Sequence, residues 1–268
     1  MLGRLEQFAN DVHTVFDTWA AEAAKGTVPA VRSIVDIGAN EGQTGRSFLR
    51  QFPLATIHSY ELAAGTFSLL TRTHEDEPAA NRARWHLHNL GMASAPGTAP
   101  YSAGRGAGDQ TATLGQEPKQ GLGHGGLRAT ITTVALALEA NNLGFVDLLK
   151  IDTEGWDRDV IKGADLARNA ARFGAVYFEY GSTWIDGRSG PSKEPLEQVA
   201  AAFAAVGYEC FLSGLTDLAR ITAPPGWARE LSGAVIGYGP NVLCLNTAVP
   251  ASSVLLNAHK KALEQCAL

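Results

Sequence analysis

Ser33-Ile-Val-Asp36-Ile-Gly38-Ala-Asn40-Glu-Gly42-Gln-Thr-Gly45 is a short apolar run with β-branched residues that ends in a glycine turn. A run of this kind, bounded by glycine, reads as a buried parallel strand. Phe48, Leu49 and Phe52 then mark the apolar face of a helix that stops at Pro53. Strand, glycine turn and helix in that order form the opening unit of a doubly wound α/β sheet, whose ligands bind at the carboxyl edge of the strands. Glycine permits positive φ and lets a ligand come close to the backbone. The helix that follows offers unpaired N–H groups.

The rest of the chain continues the pattern. Ala55-Thr-Ile-His-Ser-Tyr60 reads as a second strand, Ala64 to Glu75 as a helix and Arg84-Trp-His-Leu-His88 as a third strand. Thr133 to Ala140 reads as a helix and Phe145-Val-Asp-Leu-Leu-Lys-Ile151 as a fourth strand. A short helix runs from Asp157 to Gly163, a good terminating glycine. Ala175-Val-Tyr-Phe-Glu-Tyr180 is a fifth strand, and Leu196, Val199, Ala200 and Phe203 mark a helix closed by Gly207. Tyr208-Glu-Cys-Phe-Leu212 and Asn241-Val-Leu-Cys-Leu-Asn246 have no helix between them, so they are expected to pair antiparallel. Strands alternating with helices predict a mostly parallel sheet covered on both faces.

Two segments depart from this pattern. Leu5, Phe8, Val12, Val15 and Trp19 form an apolar helical stripe in an N-terminal extension, residues 1–30. The stripe either lies on its own domain or makes a homodimer contact. Residues 31–268 are expected to be one domain, within which 94–129 is rich in Gly, Pro, Ser and Gln. A loop that long is uncommon in a compact domain, and it is expected to be a flexible excursion that helps form an acceptor pocket.

The bulk numbers limit the function classes. The 268 residues suit one elaborated α/β domain. A net charge of −5 and a pI near 5.8 disfavour nucleic acid as a partner. No stretch reaches the roughly 20 apolar residues that cross a bilayer, and the N-terminus lacks the apolar core of a signal peptide. A cytoplasmic protein without a membrane partner is the expectation. Cys210, Cys244 and Cys266 make no CxxC pair and no zinc spacing, and their odd count suggests reduced thiols rather than a disulfide framework.

The chemistry sits at the strand ends. Glu61 closes the second strand 23 residues after Gly38, near the spacing of a ribose-binding acid. Position 40 is Asn, whereas a pyrophosphate-binding turn prefers glycine there. Asp36 before the turn suits a ligand with an ammonium group, such as the methionine end of S-adenosylmethionine. Lys150-Ile-Asp152-Thr-Glu154-Gly-Trp156 follows the fourth strand, and Glu179 ends the fifth. Three converging carboxylates can deprotonate a hydroxyl, bind an ammonium, or hold a divalent metal through oxygen. His58, His86 and His88 read as satisfied strand residues, and His124 falls in the excursion.

Val35-Asp-Ile-Gly-Ala-Asn-Glu-Gly42, Tyr60-Glu61, Val146-Asp-Leu-Leu-Lys-Ile-Asp-Thr-Glu-Gly155 and Val160-Ile-Lys-Gly-Ala164 together resemble the FkbM-family methyltransferases. The resemblance implies a class I methyltransferase fold: a Rossmann-like, seven-stranded sheet with its last strand antiparallel. It implies S-adenosylmethionine as cofactor and O-methylation of a small-molecule hydroxyl, on a sugar or natural product. Asp36, Gly38, Asn40 and Gly42 would hold the methionine moiety, Glu61 the ribose, and Asn89 and Leu90 the adenine. Asp152 would lie closest to the methyl group and acceptor, as base or orienting residue, with Glu154 and Glu179 supporting it or binding a metal. The chain has Leu62 and Ala135 where the family often has Pro and Asp. An amine or carboxylate acceptor is the alternative within the same chemistry. A nicotinamide oxidoreductase would need the pyrophosphate glycine pattern and a Tyr-x-x-x-Lys pair. A non-catalytic Rossmann-like binding or scaffold protein is the other alternative, against which the three retained acids argue.

Overall fold

The structure, a computed structural model, describes residues 13–102, 113–114, 127–180, 194–213, 218–222, 241–253 and 255. In chain order the elements are α1 (His13–Ala24), β1 (Ser33–Ile37), α2 (Gln43–Gln51), β2 (Thr56–Tyr60), α3 (Ala64–Glu75), α4 (Ala79–Arg82) and β3 (Trp85–His88). Next come β4 (Gly91–Met92), β5 (Gly97–Ser102), β6 (Thr113–Leu114), β7 (Arg128–Thr132), α5 (Val134–Ala140), β8 (Val146–Ile151), α6 (Asp157–Gly163) and α7 (Leu166–Asn169). The described elements close with β9 (Phe173–Glu179), α8 (Leu196–Ala205), β10 (Tyr208–Ser213), β11 (Leu218–Arg220) and β12 (Asn241–Asn246).

The main sheet has the order β3-β2-β1-β8-β9-β12-β10-β11. Strands β3, β2, β1, β8 and β9 run parallel to one another. The last strand, β12, is antiparallel to both β9 and β10, between which it lies. These are the seven strands expected, with three-residue β11 added outside β10. The central strands are apolar on both faces because both faces are covered. On one face Val35, Ile37, Leu149 and Ile151 pack with residues of α5, α6 and α8. On the other, Ile34, Ile57 and Leu148 pack with Phe48, Leu49 and Leu70 of α2 and α3.

Helix α1 joins that second face. Phe16 and Trp19 are buried, with Phe16 edge-on to Phe48 and Tyr177 and Trp19 edge-on to Phe52. Of the sequence stripe, Leu5, Phe8 and Val12 lie outside the described residues.

Within the 94–129 segment the described residues include paired strands. Its described parts, β5 and β6, join β4 and β7 in a second four-stranded sheet, β4-β7-β5-β6. Tyr101, Leu114, Ala129 and Ile131 form a small core beneath it. Residues 103–112 and 115–126 lie outside the described residues.

The cysteines correct the expectation of free thiols. Cys210 and Cys244 face each other across the antiparallel β10–β12 pair, both fully buried, and form a disulfide. Antiparallel register set them opposite one another, which a count of three cysteines could not show. Cys266 lies outside the described residues. No helix among the described residues is long and apolar enough to cross a membrane.

One arginine closes α2. Arg84 donates to the carbonyls of Leu49 (2.5 Å), Phe52 (3.0 Å) and Ala55 (2.9 Å), groups that a helix end leaves unpaired. Arg84→Ala is expected to lower stability by about 2 kcal/mol, the scale of a few charge-assisted bonds partly replaced by water. Urea unfolding measures this, and a change within about 0.5 kcal/mol of wild type would show that water caps the helix equally well.

Candidate active site

Strands β1, β2, β3, β8 and β9 all end at one edge, so topology alone brings Gly38, Glu61, Asn89, Asp152 and Glu179 together there. A cavity of about 340 Å³ opens at that edge. Of the residues expected from sequence, Gly38, Asn40, Glu61, Leu90, Asp152, Glu154 and Glu179 line it. Asp36, Gly42 and Asn89 do not line it.

The turn after β1 is a crossing point. Gly38 has φ +76°, and a Cβ placed there would stand 1.7 Å from the carbonyl oxygen of Asp152. The N–H of Asp152 donates to Ile37 O at 3.0 Å, and those of Gly38 and Ala39 both donate to Tyr60 O at 3.0 Å. At Gly42 and Gly45 the missing side chain serves packing. A Cβ would come within 2.7 Å of Leu70 and 2.5 Å of Trp85 respectively.

Glu61 is held in place by the backbone. Its Oε1 accepts from the Ala63 N–H at 2.8 Å and its Oε2 from the Asn40 N–H at 3.0 Å. Each oxygen keeps acceptor capacity for a ligand. Burial pushes the Glu61 carboxyl above its ordinary value, while the two N–H groups and Lys150 pull the other way. Asn40, itself in the left-handed region at φ 49°, presents a buried Oδ1 without a protein partner. Asn89 is exposed and donates to Glu61 O at 2.8 Å, so it braces the turn after β2.

Asp36 meets an ammonium, and it is the chain's own. Ser59, Asp36 and Lys150 are register partners across β2, β1 and β8. Asp36 is fully buried. Its Oδ1 lies 3.2 Å from Lys150 Nζ, and its Oδ2 accepts from Ser59 Oγ at 3.2 Å. Ser59 in turn accepts from Trp85 Nε1 at 2.9 Å. Lys150 also reaches Asp152 Oδ2 at 3.4 Å and Gly38 O at 3.2 Å. Burial works to lower the Lys150 value, but Asp36 and Asp152 outweigh it and hold the ammonium above its ordinary range.

The acids form the opposite wall. One carboxylate oxygen each from Asp152, Glu154 and Glu179 lies within 4.8 Å of the other two. Burial first, then Asp152, Asp157 and Glu154, push Glu179 up to about 8. Asp157, which the sequence reading passed over, is fully buried behind them and accepts from Thr153 Oγ1 at 3.1 Å. Burial and Asp152 raise it to about 7. Such a wall can take up a proton near neutral pH or hold a cation. Glu154 and Gly155 both have positive φ, 52° and 98°, which turns the chain sharply at this wall.

The 94–129 segment contributes to the cavity through Leu114. Trp156 Nε1 donates to Leu114 O at 3.0 Å, and both residues line the cavity. Lys150 and Trp156 were legible as parts of the acid motif, but nothing in the spacing marked one as buried and the other as part of the wall. The strand histidines lie off the cavity. His58 Nδ1 and His88 Nε2 are 3.1 Å apart, and burial, then His86 and His88, lower His58 to about 4. His88 stacks on Tyr60, which does line the cavity. His124 is outside the described residues.

A doubly wound sheet whose last strand is reversed between two neighbours, with its cavity at the carboxyl edge, defines a class I, Rossmann-like methyltransferase fold. The family model of the methyltransferase FkbM domain matches residues 36–210. The chain belongs to the FkbM methyltransferase family. Among solved structures, the methyltransferase domain of bacterial CtHen1 is 9% identical over 86% of this chain and 95% of that one, with a TM-score of 0.44. The plantazolicin methyltransferase BpumL in complex with SAH is 11% identical over 91% and 84%, with a TM-score of 0.42. An O-methyltransferase from Bacillus cereus, also in complex with SAH, is 10% identical over 89% and 83%, with a TM-score of 0.44. Comparison with curated proteins gives no match.

Proposed function

We propose that the protein transfers a methyl group from S-adenosylmethionine to a hydroxyl of a small molecule, a sugar or natural product. The observation that carries this reading is the cavity itself: an anchored Glu61 and an unpartnered Asn40 Oδ1 on one side, and a carboxylate wall with Glu179 raised to about 8 on the other. Its volume of about 340 Å³ falls within the usual ligand range of about 300–1,000 Å³. When bound, S-adenosylmethionine supplies an electrophilic methyl carbon on a sulfonium.

The chain's own groups then divide the work. Glu61 accepts from the ribose hydroxyls through the lone pairs its backbone bonds leave free. Asn40 Oδ1 and the Gly38 turn hold the methionine end, and Leu90 covers the adenine. Asp36, Gly42 and Asn89 act one layer away, through Lys150, the seat of α2 and the β2 turn. Leu114 and Trp156 bound the acceptor. Asp152 and Glu154 orient its hydroxyl, and Glu179 receives the hydroxyl proton as the new bond forms. This moves proton transfer from Asp152, favoured on sequence, to the acid whose affinity for a proton is raised into the working range. A cytoplasmic site of action belongs to the same reading.

Incubation with methyl-labelled cofactor and a panel of sugars, amines and carboxylates tests the reaction class. Label on a hydroxyl oxygen, as a methyl ether, supports the reading; label confined to nitrogen or to carboxylate esters refutes it. The three clustered oxygens can also hold a divalent cation. Activity that survives dialysis against a chelator assigns them to proton transfer, and loss restored by a divalent ion assigns them to metal. Glu61→Gln is expected to weaken S-adenosylhomocysteine binding about 10–100-fold, the worth of charge-assisted bonds. Calorimetric titration reads this directly, and unchanged affinity would take Glu61 out of the cofactor site.

A further inference from the structure

Among the described residues lining the cavity, Lys150 is the only cation, and it is 3% exposed. An ammonium has three donors. Here it donates to Gly38 O at 3.2 Å and pairs by charge with Asp36 Oδ1 at 3.2 Å and Asp152 Oδ2 at 3.4 Å. The buried ammonium is thus turned toward the protein's own groups, one carbonyl and two carboxylates. Each partner lies on a different part of the site. Asp36 is in the core of β1, Gly38 is the cofactor turn, and Asp152 begins the acid wall. The turn and the wall also touch directly, because the absent Cβ of Gly38 leaves room for the Asp152 carbonyl alone.

We propose that Lys150 is a positioning residue of the methyl-transfer site. It ties the Gly38 turn to the Asp152 loop and fixes the Asp152 carboxylate by one oxygen, leaving the other for the ligand. The inference rests on the cofactor reading above and goes beyond it. The competing account is purely structural: Lys150 neutralises the buried Asp36 and has no bearing on ligands. The two accounts differ once Asp36 no longer needs a counter-charge.

Three variants separate them: Lys150→Met, Asp36→Asn, and the double Asp36→Asn/Lys150→Met. Melting temperature is read alongside calorimetric titration with S-adenosylhomocysteine. Lys150→Met leaves an unpaired buried carboxylate and should melt well below wild type. The double variant removes both charges and should recover most of that loss. If Lys150 positions the site, the double variant still binds S-adenosylhomocysteine about 10-fold or more weaker than Asp36→Asn alone, the scale of lost charge-assisted bonds. Equal affinity in those two variants would overturn the proposal and leave Lys150 as a core counter-ion. If wild type itself shows no binding, the cofactor reading fails first and takes this inference with it, so the two failures are told apart.

Discussion

Alanine at Gly38 is expected to remove more than about 4 kcal/mol of stability, an exceptional loss for one methyl group. Two separate costs combine. The residue sits at φ +76°, where an L side chain costs roughly 1–2 kcal/mol. The added Cβ would also stand 1.7 Å from a backbone carbonyl oxygen, that of Asp152. Backbone cannot swing aside as a flexible side chain can, so β1 and β8 must part at their carboxyl ends. That movement opens the cavity as well as the core. Gly26 gives the matched control, since it has φ +72° and nothing within 4 Å of its added Cβ. Gly26→Ala should cost only the backbone term, about 1–2 kcal/mol. Urea unfolding of both variants separates strain from collision. Equal losses at the two positions would show that the β1–β8 crossing is not the tight point described.

Glu179→Gln is expected to depress turnover about 10²–10⁴-fold, the usual contribution of a positioned base. Binding of S-adenosylhomocysteine should change only a few-fold, because the cofactor contacts proposed for Glu61 and Asn40 are left intact. The pH dependence follows from the raised value. Wild-type kcat/KM should climb with pH and level off above about 8, where the carboxyl has lost its proton. The variant's profile should be flat through that range. Stability moves the other way. The folded chain holds the Glu179 proton up to about 8, against 4.5 for the free side chain. Stability from this group is therefore present below 4.5 and lost as pH rises through about 8. Asp157, raised from 3.8 to about 7, has the same sign. His58 opposes them, since its value falls from 6.5 to about 4, but only below 6.5. Between pH 6.5 and 8 these acids set the slope among the described residues, so the melting temperature of the ligand-free protein should fall across that window. Glu179→Gln should reduce the slope. A melting temperature that rises from pH 6.5 to 8 would contradict the acid wall as described.

Much of the sheet was legible because its central strands are buried on both faces. Val146–Ile151 and Phe173–Glu179 are nearly continuous apolar runs, and each follows or precedes a helical pattern. The lack of a helical pattern in the sequence between Leu212 and Asn241 pointed to the antiparallel pair. Strands β5 to β7 were not legible. Gly97–Ser102 buries only Tyr101, so its sequence carries no alternation to read. Its order comes from pairing with β7 and a few distant apolar partners. The Cys210–Cys244 pair depends on antiparallel register over a separation of 34 residues.

The site divides in the same way. The convergence of Glu61, Asp152, Glu154 and Glu179 on one cavity was legible because strand ends share one edge, whatever the loops do. Asp36 was read toward a ligand ammonium, but its side chain points into the α2 face of the sheet, in register with Lys150. Whether a strand residue near the edge faces ligand or core is a matter of pleat and register, and two adjacent strands must be aligned to decide it. The glycine pattern was likewise mixed: Gly38 answers to the Asp152 loop, and Gly42 and Gly45 to Leu70 and Trp85.

The central claim is that the carboxyl-edge cavity is built for S-adenosylmethionine. Calorimetric titration of the wild-type protein with S-adenosylhomocysteine, and separately with NAD, tests it most directly. The account predicts saturable one-to-one binding of S-adenosylhomocysteine, weakened in Glu61→Gln, and no binding of NAD. Folded protein, free of carried-over ligand, that binds NAD or neither compound would contradict it.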